Sequence, residues 1–208
     1  MARPDQSRSD CVYLYWIPLG AGSSGPVVRW SGTAYESLVA RRTHRKRRPL
    51  FHAALEIYHA GTPHTLEMTP VWGQPTGDRG VVVTGPVGLR ALGASRLFRY
   101  EVRCWPNGEI PDLAYAVGGA QRLTATSAEA ADVLAASRRV PAFTWGRDAL
   151  RVGDMWNSNS VVAFVLTTSG VDASTLRPPA AGRAPGWRAG IAAAAQTNAS
   201  TGGHEHTR

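Results

Sequence analysis

The stretch LFHAALEIYHAGTPHTLEMTPVW, residues 50–72, carries the strongest strand signal in the chain. Residues 50–58 are apolar at most positions, which is typical of a buried strand. A Gly-Thr-Pro turn follows, and residues 64–72 then return as the second strand of a hairpin. Because side chains alternate across a strand, we expect His52 to point to the face opposite Ala53.

Further strands are expected on both sides of this hairpin. Residues 12–17 (VYLYWI) form a continuous apolar and aromatic run, and residues 81–83 are three valines. Residues 97–105 alternate, with Tyr100 and its apolar neighbours on one face and charged residues on the other. This alternation predicts a half-solvated strand, ended by a Pro-Asn-Gly turn.

Helices are expected mainly in the second half of the chain. A short amphipathic helix is indicated around Tyr35, Leu38 and Val39. Thr126 or Ser127, followed by Glu129, begins a second helix that ends near residue 138, and a third runs from about residue 157 to 170. The order of elements predicts an α+β fold with a mainly antiparallel sheet packed against helices.

The domain organisation follows from length and composition. A chain of 208 residues with 43% apolar residues is expected to form one domain, which we place at residues 11–188. Residues 1–10 are polar, and residues 189–208 show no hydrophobic pattern, so both segments are predicted to be disordered. No window approaches the ~20 apolar residues of a membrane span, and we expect a cytoplasmic protein.

The net charge of +8 is concentrated in one segment. Six basic residues lie between Arg41 and Arg48, and +8 less these six leaves +2. Such a segment is usually solvated, but it could also bind an anionic partner such as RNA, DNA or a membrane surface. No aromatic residue interrupts the segment, which weakens a role in stacking against single-stranded nucleic acid.

The strongest chemical signal is Trp156-Asn-Ser-Asn-Ser160, directly before an apolar helix. One small polar residue is enough to cap a helix, so four in a row are an excess. A helix N-terminus also favours an anionic nucleophile, and its free N–H groups can hold an oxyanion. If Ser158 caps the helix, Ser160 lies in the first turn with its hydroxyl outward. Capping and a reaction centre both remain open interpretations.

A serine nucleophile needs a base, and His52 is the candidate. Its imidazole has an ordinary pKa near ~6.5, which suits proton transfer at neutral pH. A structural histidine bonded to a backbone carbonyl is the alternative interpretation.

A histidine at the head of a central strand, followed later by an Asn-Ser pair that opens a helix, resembles the circularly permuted papain-like folds. These include the NlpC/P60-type hydrolases, the lecithin-retinol acyltransferase-like proteins and the PPPDE peptidases. The chain also resembles an uncharacterised actinobacterial family over roughly residues 12–190. The motifs that carry this second resemblance are YWIPLGAG, LFHAALEIY, RGVV, GPVG, LFRYEVRCWPNGEIPD, VPAFTWGRD, MWNSNSV and GRAPGW.

The papain-like resemblance implies a role for each matching residue. Ser160 takes the nucleophile position, where the permuted enzymes have cysteine, and His52 takes the position of the base. His64 or Glu67, on the next strand, would orient the histidine. Serine in place of cysteine implies one of two functions. The chain is either a serine hydrolase or acyltransferase, or a catalytically inactive module that only binds a small molecule or peptide in the same cleft.

Several other residues are candidates for supporting roles. Asn157 and Asn159 would shape the turn, with Ser158 as the second candidate nucleophile and Trp156 beside it. Arg147 and Asp148 precede the same helix and either form a local ion pair or line the cleft. The two cysteines, Cys11 and Cys104, border apolar runs and are expected to be packing residues.

No cofactor or metal is expected from the motifs. The histidines lack zinc-type spacing with cysteines, and Glu56, Glu67 and Asp112 form no recognisable metal set. The glycines at 118 and 119 lack the strand and acidic partner of a dinucleotide site. The sequence therefore predicts an ester or amide hydrolase or acyltransferase. The alternatives are a binding module and a protein that associates with nucleic acid through residues 41–48.

Overall fold

The computed structural model describes residues 9–21, 36, 40–71, 80–110 and 112–202. These residues form one six-stranded antiparallel sheet in the order β4-β5-β3-β2-β1-β6, which confirms the expected α+β class. The strands are β1 (Cys11–Pro18), β2 (Phe51–His59), β3 (Thr62–Pro70), β4 (Val81–Pro86), β5 (Arg99–Pro106) and β6 (Gln121–Arg122). The predicted hairpin is β2 and β3, and positive φ angles at Ala60 and Gly61 close its two-residue turn.

Three helices with described bounds follow the strands: α1 (Ser127–Ser137), α2 (Ser158–Thr168) and α3 (Trp187–Gly202). Thr126 and Glu129 form the capping box that begins α1, as the sequence predicted. Residues 36 and 40–42 are also helical, while Tyr35, Leu38 and Val39 lie outside the described residues. No helix in the described part of the chain combines the length and apolar character that a membrane crossing requires.

Alternation along the strands directs one set of side chains towards the helices. Leu14, Leu55 and Ile57 are completely buried there, against Phe164 and other residues of α2. Each such side chain stabilises the fold by roughly 1.5–3 kcal/mol relative to an exposed one. His52 is not part of this core, because it lies on the opposite face of β2, as the alternation predicted.

The opposite face of β5 is more buried than the sequence suggested. Glu101 and Arg103 form an ion pair and are only 2% and 8% exposed. The predicted half-solvated strand is therefore wrong in this respect. β5 lies inside the sheet, between β3 and β4, so residues of both neighbouring strands flank its polar side chains.

The strands β2 and β3 are paired over only part of their length. Their register runs from Leu55 opposite Leu66 to His59 opposite Thr62, whereas β3 continues to Pro70 along β5. The first residues of β2 therefore need other partners for the main-chain groups on that side. The sheet opens at His52, and this opening positions the site.

The C-terminal segment is ordered as far as residue 202, so the prediction of a disordered tail from residue 189 is wrong there. Ala193 and Ala194 are buried, and alanine is the best helix former. A Cβ added at Gly190 would lie 2.2 Å from the carbonyl oxygen of Ser160, so α3 packs closely on α2 through small residues. Residues 1–8 and 203–208 lie outside the described residues.

Candidate active site

The helix α2 begins one residue earlier than the sequence argument assumed. Asn157 is its N-cap, with extended backbone, and its side-chain oxygen accepts from the N–H of Ser160 at 3.3 Å. The hydroxyl of Ser160 in turn accepts from the N–H of Asn157 at 3.0 Å. This reciprocal capping box places Ser158, not Ser160, at the first helical position.

Ser160 is a structural residue, which corrects its assignment as the nucleophile. Its side chain is completely buried. Its hydroxyl lies 2.8 Å from the carbonyl oxygen of Gly186 and 3.1 Å from that of Met155. These bonds join the start of α2 to the start of α3 and point the hydroxyl away from the open face of the sheet.

Ser158 is the serine that meets the histidine. Its Oγ lies 3.0 Å from Nδ1 of His52, and both side chains are half-buried. For Nδ1 to accept this hydroxyl proton, the proton of the neutral imidazole must reside on Nε2. A hydroxyl bonded to a neutral imidazole at a helix N-terminus is the arrangement that activates a serine nucleophile.

Asn159 holds β2 in place around the histidine. Its side-chain oxygen accepts from the N–H of Ala53 at 2.7 Å, and its amide donates to the carbonyl of Phe51 at 3.0 Å. These are the main-chain groups on either side of His52, in the part of β2 that β3 has left. The amide also donates to the carbonyl of Pro185 at 2.9 Å. The side chain of Asn159 is therefore used in fixing the helix start relative to the strand, and the residue is only 4% exposed.

The environment of His52 keeps its ring neutral. Burial lowers the pKa of His52 to about 4, and the negative charge of Asp112 opposes this shift only in part. The ring is therefore unprotonated at pH 7 and free to accept a proton. Asp112 follows β5 in the chain and lines the same cleft, where its carboxylate would favour an imidazolium formed during reaction.

The two residues predicted to orient His52 lie in different places. His64 is opposite Ile57, five positions along β2 from His52, which is roughly 16 Å of strand. Its Nδ1 bonds the carbonyl of Thr62 in its own turn at 3.1 Å, so its predicted role is wrong. Glu67 does line the cleft with His52, but no hydrogen bond joins the two among the described residues.

Three residues predicted beside the cleft support the structure around it instead. Trp156 is 1% exposed and packs edge-on against the ring of Phe143. Arg147 is exposed and donates to the carbonyl of Gly88. Asp148 accepts from the N–H groups of Val152 and Gly153, at 2.9 and 2.8 Å, and so closes a loop. None of the three lines the cleft that holds His52.

Sequence reasoning missed the role of Asp154. Its carboxylate is 9% exposed and accepts from the N–H groups of Gly186 at 2.7 Å and Arg188 at 3.2 Å, at the start of α3. Burial raises its pKa although these bonds act in the opposite direction. No local pattern could have revealed this contact, because its partners lie more than thirty positions along the chain.

Ser158 and His52 open into a cleft of about 600 Å³. Its walls come from the open end of the β2–β3 pair, from the segment after β5 and from the loop before α2. The apolar lining includes Ile17, Met68, Ile110, Trp145 and Met155. A cleft of this size and character accommodates a small organic molecule or a short peptide segment.

The other candidates lie away from this cleft. Cys11 and Cys104 are free thiols, and Cys11 is buried in the core at 1% exposure. Burial raises the pKa of Cys104, which disfavours its reactive thiolate form. In the basic segment, Arg45 pairs with the buried Glu36 at 2.6 Å, and Arg183 binds the same carboxylate at 3.2 Å. The other five basic residues of the segment are exposed.

Comparisons with models of protein families, with curated proteins and with solved structures found no match for this chain.

Proposed function

We propose that the chain is a serine-type hydrolase or acyltransferase that acts on an ester or amide, with Ser158 as nucleophile and His52 as general base. The observation that carries the proposal is the 3.0 Å contact between Ser158 Oγ and His52 Nδ1 at the start of a helix. This distance lies within the range over which a base removes a proton from a serine. The contact faces a cleft that can hold a substrate.

Each half of the reaction uses one proton transfer to His52 and one from it. His52 Nδ1 takes the hydroxyl proton while Ser158 Oγ bonds to the substrate's carbonyl carbon. The imidazolium then gives that proton to the leaving alcohol or amine as the bond to it breaks. In the second half, water or a second alcohol or amine attacks the acyl-serine and loses its proton to His52, which returns it to Ser158 Oγ as the acyl–oxygen bond breaks. Asp112 lowers the cost of the transient imidazolium through its charge.

Backbone groups are available to hold the oxyanion. The first N–H groups of a helix have no carbonyl inside the helix to bind. The N–H of Ser160 is bonded within the capping box. The N–H groups of Ser158 and Asn159 have no hydrogen-bond partner among the described residues. One of these N–H groups belongs to the nucleophile Ser158 and the other to the next residue, Asn159. The dipole of the helix also stabilises a negative charge at this position.

We also propose that the fold is a permuted papain-like arrangement. The proposal is supported by the order of the parts, because the histidine on a central strand precedes the helix that carries the nucleophile. It is supported further by the start of α2 packing against that strand through Asn159. Ser158 then takes the place of the cysteine of such enzymes, two residues earlier than Ser160, the position that the resemblance implied.

The pH dependence of ester hydrolysis tests the function. With a p-nitrophenyl ester, we expect an initial burst of p-nitrophenol, because the acyl-serine forms faster than water hydrolyses it. Only the neutral form of His52 acts as the base, and its pKa is lowered to about 4. The burst rate should therefore stay level from pH 8 to about pH 5 and fall as the pH passes through about 4.

The control for this experiment is His52→Gln, which removes the titrating ring. This variant should give no burst at any pH in the range. A wild-type protein that binds the ester without turning it over would contradict the proposal and favour the silent binding module. An equal rate in wild type and His52→Gln would show that the histidine is not the base.

A further inference from the structure

The charged groups that line the cleft are all acidic within the described part of the chain. They are Glu67 on β3 and Glu109 and Asp112 on the segment after β5. No described arginine or lysine lines the cleft, and His52 is neutral at pH 7 because its pKa is lowered to about 4. The described lining therefore carries three acidic side chains and no arginine or lysine, although the net charge of the chain is +8.

Among the described residues, Glu67 has no hydrogen-bond partner for its carboxyl group. It is half-buried and makes no hydrogen bond with the described residues. The cation opposite it in the sheet, Arg103, is already bound to Glu101. Burial raises the pKa of Glu67, and the charge of Arg103 offsets this only in part. A positive charge in the cleft would therefore meet a carboxyl group with which no described arginine or lysine makes a hydrogen bond or salt bridge.

The walls of the cleft suit an alkylated cation better than a hydrated one. Ile17, Met68, Ile110 and Met155 supply apolar surface, and the aromatic residue Trp145 is also part of the lining. An aromatic face attracts quaternary and alkylated ammonium groups without a hydrogen bond. A small cation that keeps its water shell would gain nothing from such walls.

We infer that the cleft selects esters or amides in which the acyl group or the leaving group carries an alkylated ammonium or another apolar organic cation. The inference rests on the proposed function for the reaction, but the binding preference can be measured without it. In this arrangement the cation lies towards Glu67 and Glu109, while the carbonyl carbon reaches Ser158. The negative charge of Asp112 stabilises the imidazolium form of His52.

A pair of esters that differ only in charge tests the inference. Acetylcholine, the acetate ester of choline, and 3,3-dimethylbutyl acetate have nearly the same shape. Acetylcholine carries a positively charged quaternary nitrogen where the other ester has an uncharged carbon. Titration of Ser158→Ala with each ester by calorimetry measures binding without hydrolysis. We expect the choline ester to bind at least about tenfold more tightly at low salt, and the preference to shrink at 1 M salt, where charges are screened.

Variants locate the source of the preference. Glu67→Gln, combined with Ser158→Ala, should reduce the preference for the choline ester about five- to tenfold. Glu109→Gln, at an exposed position, provides a second variant if Glu67→Gln does not fold. Asp132→Asn removes the same charge from the exposed face of α1 and should leave the preference unchanged. A loss of preference in Asp132→Asn equal to that in Glu67→Gln would point to net charge alone and overturn the inference.

The two proposals fail in different ways. Preferential binding of the choline ester without hydrolysis by the wild-type protein would leave the inference standing and contradict the proposed function. Hydrolysis of both esters with equal kcat/KM, and equal binding to Ser158→Ala, would support the function and overturn the inference. Binding of neither ester would overturn the inference as well.

Discussion

Replacing Gly186 by alanine is expected to lower the free energy of unfolding by about 3–5 kcal/mol. Gly186 has a φ of +92°, and an added Cβ would lie 2.1 Å from Oδ1 of Asn157 and 2.7 Å from Oγ of Ser160. The left-handed conformation alone costs an alanine roughly 1–2 kcal/mol. The clash adds the larger share, because the capping box of α2 must move to admit the methyl group.

Gly170→Ala is the matched control for this experiment. Gly170 has a φ of +90°, and nothing lies within 4 Å of an added Cβ there. The control should therefore cost only about 1–2 kcal/mol, the price of the backbone conformation. Chemical denaturation of the two variants measures the difference. Equal losses would show that the start of α2 does not depend on close contact with Gly186.

Replacing Ser158 by alanine is expected to lower kcat/KM for ester hydrolysis by roughly 10⁴-fold or more, because the nucleophile is lost. The fold should be retained. Ser158 is the first helical residue, the cap is Asn157, and alanine is favourable in helices. Activity measured with a p-nitrophenyl ester, together with the unfolding midpoint of each variant, separates the loss of chemistry from any loss of structure.

Ser174→Ala serves as the control for this substitution, since Ser174 is an exposed serine in a turn after α2. It should keep full activity. Ser160→Ala should behave differently from both, losing stability because it breaks the capping box and the bond to Gly186. A Ser158→Ala variant with activity close to that of the wild type would rule out Ser158 as the nucleophile.

The elements could be predicted because their signals are local. Apolar content indicated β2, the turn after it indicated β3, and period-two alternation indicated the core face of β5. The Thr126–Glu129 pair indicated the start of α1. The last helix, α3, was not predicted because it packs through alanine and glycine. Helical periodicity is visible in a sequence only where large apolar residues mark the buried face.

The candidate site could be predicted only to within a few residues. His52 and the Asn-Ser-Asn-Ser segment were found, but asparagine and serine cap helices about equally well, so either Asn157 or Ser158 could begin α2. Each residue turns about 100° around a helix, so Ser158 and Ser160 point in directions about 200° apart and only one of them can face the strand. Asp112 and Asp154 were not assigned to the site because their partners are distant in the sequence.

Covalent labelling with a fluorophosphonate, followed by mass spectrometry of the peptides, tests most directly whether Ser158 is an activated nucleophile. Such probes react with a serine whose hydroxyl is polarised by a base. The geometry predicts one adduct, on Ser158, that is lost in His52→Gln and formed at the normal rate in Ser174→Ala. An adduct on Ser160, or no adduct on the folded wild-type protein, would contradict the proposed pair of Ser158 and His52.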